Sequence, residues 1–340
     1  MGSVGELFGK RGFDNGLLAG LVAFAVVPIV YATVRRRPAT VAGAVFAVAG
    51  AAAIGGFGSF DAAGPFPGRV VVGMALLGAG GLAIRWFRPP LIASVVVLVP
   101  GAVVIAYGTG LGTPAYPSWV QPLIAIGCAA GGACAADVDY AQRARALGPV
   151  LLGVSVGAVY STVPDTERAM VLVGAAIVLL LATFPTPLSS LGPEGATAST
   201  GLLLWVAAAD GRGRPGSIVG AVGALGLLVA EPISRRLFRA SAPRSTSRRS
   251  VPENHLLMIV VVGLVQAGIA LYAARVAGFE HDGGRAALML IPAAVVALLV
   301  ATGMPAPRSR APAMHSRGRH RRSPRSGRSS GSRDPGRSAR

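Results

Sequence analysis

The interiors of the long apolar stretches between residues 15 and 303 carry no charge. Acids and arginines are confined to the gaps between the stretches or to their first or last few positions. A charged side chain at mid-bilayer costs about 2.5–3.5 kcal/mol on insertion scales and is usually functional where it occurs. A chain that repeatedly keeps charge out of 15- to 20-residue runs reads as a polytopic helical membrane bundle, so the expected fold class is all-α. The bulk numbers agree. Mean hydropathy is +0.59, and charged residues make up 14% of the 340 positions, against about 25% in a soluble domain.

A span needs about 20 apolar residues. The candidates are roughly 15–34, 39–57, 69–84, 90–108, 118–136, 147–163, 168–185, 196–210, 215–233, 255–277 and 286–303, giving about eleven spans. The eighth and ninth are the weakest, because both are short and the polar turn 210–215 joins them. If 196–233 is instead a re-entrant hairpin, nine crossings remain. The first run ends in Arg35-Arg36-Arg37 and is too long for a signal-peptide core, so it reads as a retained span. Residues 1–14 form a short leading segment, 15–303 the transmembrane domain, and 304–340 a tail of Arg, Ser, Gly and Pro. That tail has too few apolar side chains to bury and is expected to be disordered. The loop at about 234–254 has a similar composition.

Arginine placement sets the expected orientation. With the tail in the cytoplasm and strict alternation, 24 arginines fall on the cytoplasmic side and eight basic residues on the other. The N-terminus is then extracytoplasmic. Arg212 and Arg214 dissent. Tyr31, Trp86, Phe87, Tyr107 and Trp119 lie near span ends, where amphipathic rings favour the interface. Trp205 is the exception, inside the eighth stretch; it reads as packing in the bundle or as lining a cavity. Lys10 is the only lysine, and that bias suggests a GC-rich bacterial genome and a plasma (inner) membrane location.

Candidate functional residues lie at the edges. Asp165, Glu167 and Arg168 cluster at the start of the seventh stretch, either initiating a helix or contacting a cation or headgroup outside. Asp137 and Asp139, near Arg143 and Arg145, read as a solvated turn. Glu231, the carboxylate closest to the hydrophobic core, is either a coupling carboxylate or a partner for Arg235 and Arg236. Gln266 reads as an interhelical hydrogen-bonder or a pore-lining amide. Arg235, Arg236, Arg239, Arg248, Arg249, Arg321 and Arg322 are expected to contact anionic lipid at the membrane surface. Aromatic residues are not interleaved with them, which speaks against nucleic-acid binding. Cys128 and Cys134 read as small buried hydrophobes.

Gly-x-x-x-Gly pairs occur at 16/20, 127/131, 153/157 and 216/220. They permit close helix packing, within the bundle or against another membrane protein or a second copy. No P-loop, His-Glu-x-x-His or Gly-x-Ser-x-Gly is present, so neither an enzyme nor a cofactor is expected. The first functional expectation is a non-catalytic cell-envelope membrane component or scaffold. The second is a transporter or flippase for an uncharged or lipid-linked substrate, supported by the broken eighth–ninth region.

Overall fold

The computed structural model describes residues 10–35, 42–56, 68–108, 120–141, 147–162, 167–183, 191–210, 215–239, 255–279 and 282–303. Asp165, Arg248, Arg249, Arg321, Arg322 and the tail lie outside these residues, as do the side chains of Arg235 and Arg239. Among the described residues there are thirteen helices and no strand. They are α1 (Arg11–Arg35), α2 (Ala42–Gly56), α3 (Gly68–Phe87), α4 (Leu91–Gly108), α5 (Val120–Ala141), α6 (Leu147–Thr162), α7 (Glu167–Thr183), α8 (Pro193–Asp210), α9 (Pro215–Ala224), α10 (Gly226–Arg239), α11 (His255–Phe279), α12 (Gly283–Met289) and α13 (Ile291–Gly303).

Among the described residues, four segments are long and apolar enough to cross a membrane: Arg11–Val30, Gly68–Phe87, Val120–Asp137 and Ile259–Phe279. Two further candidates arise if each bent pair counts as one span, α9 with α10 at 59° and α12 with α13 at 42°. Six is fewer than the eleven expected from sequence. The shortfall comes from short apolar helices such as Ala42–Gly55, Leu91–Tyr107 and Gly148–Tyr160, and from α8, which carries Pro193, Glu194 and Asp210 at its ends and hydroxyls at Thr197, Ser199 and Thr200. Large apolar side chains are exposed on the outside of the bundle, including Leu18, Val22 and Ile29 on α1, Leu264 and Leu271 on α11, and Val295 and Leu299 on α13. Apolar exposure on that scale is suited to lipid rather than water, and the chain is a membrane-embedded helical protein.

One of the two weakest stretches of the sequence, the eighth, supplies the helix in the middle. Every position of α8 from Pro193 to Ala208 is buried, and α8 touches α2, α3, α5, α7 and α9. Its polarity follows from that placement. A helix surrounded by other helices faces backbone carbonyls as well as apolar side chains, and hydroxyls can use them. Thr197 Oγ1 lies 2.8 Å from the Leu77 carbonyl oxygen of α3, and Ser199 Oγ donates to the Gly43 carbonyl of α2 at 3.0 Å.

Glycines set the closest helix pairs. Gly12 and Gly16 of α1 lie against Glu167 and Val171 of α7, so these helices run in the same direction. Gly43 and Gly50 of α2 meet Leu191 and Leu202, so α2 runs with α8. Gly73 and Gly80 of α3 meet Ile105 and Leu98 of α4, an antiparallel pair. Gly127 and Gly132 of α5 meet Leu204 and Thr197 of α8, again antiparallel. The Gly16/Gly20 face is thus filled by α7, and the Gly127/Gly131 face by α8 and α9; both are used inside the chain. Gly157 is different, with no atom within 4 Å of where a Cβ would stand.

Candidate functional site

Two polar assemblies are built inside the bundle. The first surrounds the break between α9 and α10. At Leu225–Gly226 the hydrogen-bond ladder slips from i−4 to i−3: Leu225 N–H donates to the Val222 carbonyl at 3.1 Å and Leu228 N–H to the Leu225 carbonyl at 2.7 Å. Gly226 adopts φ +26°, a backbone conformation that L side chains rarely take. The slip releases the Ala224 carbonyl and the Leu227 N–H from the helix. In lipid such groups need internal partners. Gln266 of α11 supplies both: its Oε1 accepts from Leu227 N–H at 2.9 Å, and its Nε2 donates to the Ala224 carbonyl at 2.7 Å. Ser155 of α6 completes the set. Its hydroxyl lies 2.8 Å from the Ala224 carbonyl and 2.9 Å from the Leu151 carbonyl, and accepts from Gln266 Nε2 at 3.2 Å. Gln266 and Ser155 are fully buried. The second bend is held from the same helix, with the Tyr272 hydroxyl donating to the Met289 carbonyl at 2.9 Å, next to the α12–α13 bend at Leu290. Helix α11 therefore clamps both bends.

The second assembly gathers charge at one end of the bundle. The Arg85 guanidinium at the end of α3 meets Glu194 at the start of α8, Nη1 to Oε1 3.3 Å. Arg236 of α10 meets Asp137 near the end of α5 at 3.6 Å. Beside them a cavity of about 280 Å³ is lined by Arg88, Pro90, Ser94, Asp137, Pro193 and Arg236. Ser94 Oγ lies 3.3 Å from the Pro90 carbonyl in the first turn of α4. Glu231, also on α10, is buried.

Of the cluster expected at the start of the seventh stretch, Glu167 and Arg168 are described. Arg168 is buried, and its guanidinium stacks over the buried Trp205 ring, 5.2 Å from the centroid, an arrangement of greatest value where water is excluded. Glu167, its neighbour, is exposed. Asp137 departs from the solvated turn expected of it, because the end of α5 packs against α10 and half-buries the carboxylate beside Arg236. Arg236 makes an ion pair with Asp137 on a neighbouring helix. Trp205 packs in the bundle, and both cysteines are buried and free.

Glu194 escaped the sequence reading, hidden in a connection judged to precede the eighth span. The signal was Gly192-Pro193-Glu194: a proline in the first turn with an acid beside it marks a helix start. Its side chain is nearly sealed, while Arg85 keeps about a quarter of its own exposed. Removing the carboxylate's charge (Glu194→Gln) is therefore expected to cost about 1–3 kcal/mol, between an exposed and a sealed ion pair. Thermal unfolding in detergent measures this, and the neutral pair R85Q/E194Q is expected to recover part of the loss.

Among the described residues, no group of three or more His, Cys, Asp or Glu side chains stands close enough to hold a metal ion. No family model matches the chain, and no curated protein matches it either.

Proposed function

We propose that the chain is a multi-pass transporter or flippase of the inner membrane for an uncharged or lipid-linked substrate, with its C-terminus in the cytoplasm. The observation that carries this reading is the break in α9–α10. A bundle whose only task is to be a platform gains nothing from a 59° bend that gives up helical hydrogen bonds and needs a glycine at positive φ. A protein that moves does gain. The break makes a joint between two rigid helices, and its backbone polar groups rest on a side-chain amide and a hydroxyl that can exchange partners. The groups around the break are neutral, which suits a substrate that is itself uncharged at that depth.

The helix directions support the full set of crossings. The pairs α1 with α7 and α2 with α8 run parallel, and α3 with α4 and α5 with α8 antiparallel. Gly220 and Gly226 meet Ala277 and Ile269, so α9–α10 runs opposite to α11. These are the relations of a chain that reverses at every connection, with each bent pair as one crossing. They put Arg85, Arg88, Asp137, Glu194 and Arg236 at one common end, the cytoplasmic one by arginine distribution.

A second reading, the non-catalytic envelope scaffold, draws support from α8, which fills the centre of the bundle along its length. The two separate by experiment. Ile92 on α4 and Leu237 on α10 are exposed and flank the cavity. With Cys128 and Cys134 replaced by alanine, spin labels at I92C and L237C are expected to give two resolved distance populations in lipid nanodiscs. One narrow population under every lipid and temperature condition would instead favour the scaffold.

A further inference from the structure

We propose that the cavity between the α3–α4 turn, α5 and α10 is a binding site for the phosphate of an anionic phospholipid whose acyl chains lie along α4. Two arginines, Arg88 and Arg236, line it against one acidic residue, Asp137, whose carboxylate Arg236 engages at 3.6 Å. The first turns of α4 and α8 also line it, through Pro90, Ser94 and Pro193. Both helices are 18 residues long and present their positive ends there. At about 280 Å³ the space suits a headgroup; whole drug-sized ligands occupy roughly 300–1,000 Å³.

Two further features accompany the arginine-lined cavity, and the second points to a lipid in particular. The first is strain. Arg88 sits at φ +50°, the one non-glycine residue with positive φ among the described residues. Its N–H closes the end of α3 on the Ile84 carbonyl at 2.9 Å. Chains usually place glycine at such a helix end, because any other side chain costs about 1–2 kcal/mol in the left-handed region. A cost borne where glycine would be free marks the guanidinium as what the position needs.

The second is the neighbouring surface. Trp86 and Phe87 are exposed beside Arg88, in the manner of interfacial aromatic anchors. From the cavity outward, Ile92, Val96, Val99 and Val103 are all exposed, and their spacing puts them on one face of α4. A free phosphate would use the arginines alone, whereas a diacyl lipid would use the arginines and the stripe together. The site differs from diffuse attraction of basic loops to the membrane surface, since it has walls and a stoichiometry. It rests on the protein being membrane-embedded and is independent of whether the protein transports anything.

Native mass spectrometry of the full chain in a neutral detergent tests it, with dioleoyl phosphatidylglycerol and dioleoyl phosphatidylcholine as probes. The expected result is one phosphatidylglycerol retained under conditions that strip phosphatidylcholine, whose choline is repelled by the same arginines. Arg88→Gly is expected to weaken phosphatidylglycerol binding about tenfold or more, the worth of one charge-assisted hydrogen bond. The same variant is expected to leave the unfolding temperature unchanged or raised, because glycine relieves the strain. A residue with a purely structural role would not separate the two readouts in that way. If R88G does not purify, Arg88→Gln reads the same loss of binding without the relief of strain. Unchanged phosphatidylglycerol binding by the variants would overturn the proposal. So would equal retention of the two lipids, or displacement of the lipid by excess inorganic phosphate, which would make the ligand a free anion.

Discussion

Replacing Gln266 with leucine is expected to destabilise the protein by roughly 2–4 kcal/mol. The side chain is fully buried and serves two backbone groups that no helix serves, the Leu227 N–H and the Ala224 carbonyl. Each buried group left without a partner costs about 1–3 kcal/mol. The two do not fare alike. Ser155 stands 2.8 Å from the Ala224 carbonyl and still reaches it in the variant, while the Leu227 N–H has lost its acceptor. The loss should therefore fall in the middle of the range, above the average of about 0.6 kcal/mol measured for interhelical hydrogen bonds in membranes. Adding Ser155→Ala removes the remaining donor, and the two changes should be strongly non-additive because they share one carbonyl. Unfolding in detergent, followed by heat or by a denaturant, reads both effects. A loss for Q266L no larger than that of an isosteric surface change would show that the break is held by something else. In the transport reading the same variant also shifts the two spin-label populations, since the joint loses its latch.

Gly174→Leu is expected to have the largest effect of any single substitution considered, abolishing the folded bundle. Where α7 crosses α1, a Cβ on Gly174 would stand 2.7 Å from the Leu17 nitrogen and 3.0 Å from the Gly16 carbonyl carbon, and would also meet the Phe13 carbonyl oxygen. All of these are backbone atoms, so no rotamer change can make room. Overpacking against side chains costs about 1–3 kcal/mol; here α1 must move away from α7 along its length, which exceeds that. Fluorescence-detected size exclusion should show aggregate in place of a monodisperse peak. Gly157→Ala is the control. Gly157 also belongs to a Gly-x-x-x-Gly pair, but nothing stands near its open side. Alanine there should be neutral or stabilising by up to about 1 kcal/mol through helix propensity. If both variants behaved alike, the packing of α1 on α7 would be wrong.

The contrast between Gly174 and Gly157 shows what sequence spacing can carry. Four-residue glycine spacing says that a helix face is smooth; it does not say which faces find a partner. Of the spaced pairs, Gly16/Gly20 was readable as a packing face and is one, yet its partner Gly174 lies outside any such pair. Gln266 was legible as an interhelical hydrogen-bonder, because a lone amide in an apolar span has few other uses. That it bonds to backbone was not legible, since the orphaned groups exist only once α9–α10 breaks. The break itself left a trace, in a ninth stretch rich in glycine and flanked by polar turns.

The charged end was harder to see. Arg85, Asp137, Glu194 and Arg236 come from four separate gaps in the apolar pattern, and each gap taken alone reads as a turn. The Arg168–Trp205 stack was equally hidden, because a basic residue at a span edge and an aromatic ring some forty positions later carry no mark of proximity.

By itself the sequence determined the medium and the class: an all-helical chain that keeps charge out of its apolar interiors and belongs in a membrane. It could do so because exclusion of charge from lipid is a local cost, borne residue by residue and therefore written residue by residue. Which helix stands at the centre was decided only by tertiary structure. The sequence ranked the α8 stretch among the weakest spans because it is short and a polar turn joins it to the next. A helix surrounded by protein needs hydroxyls and small side chains that reach neighbouring carbonyls, and these lower the apparent signal. The same physics hid the joint at Gly226 and the charged cavity, whose groups acquire meaning from neighbours far away in the chain.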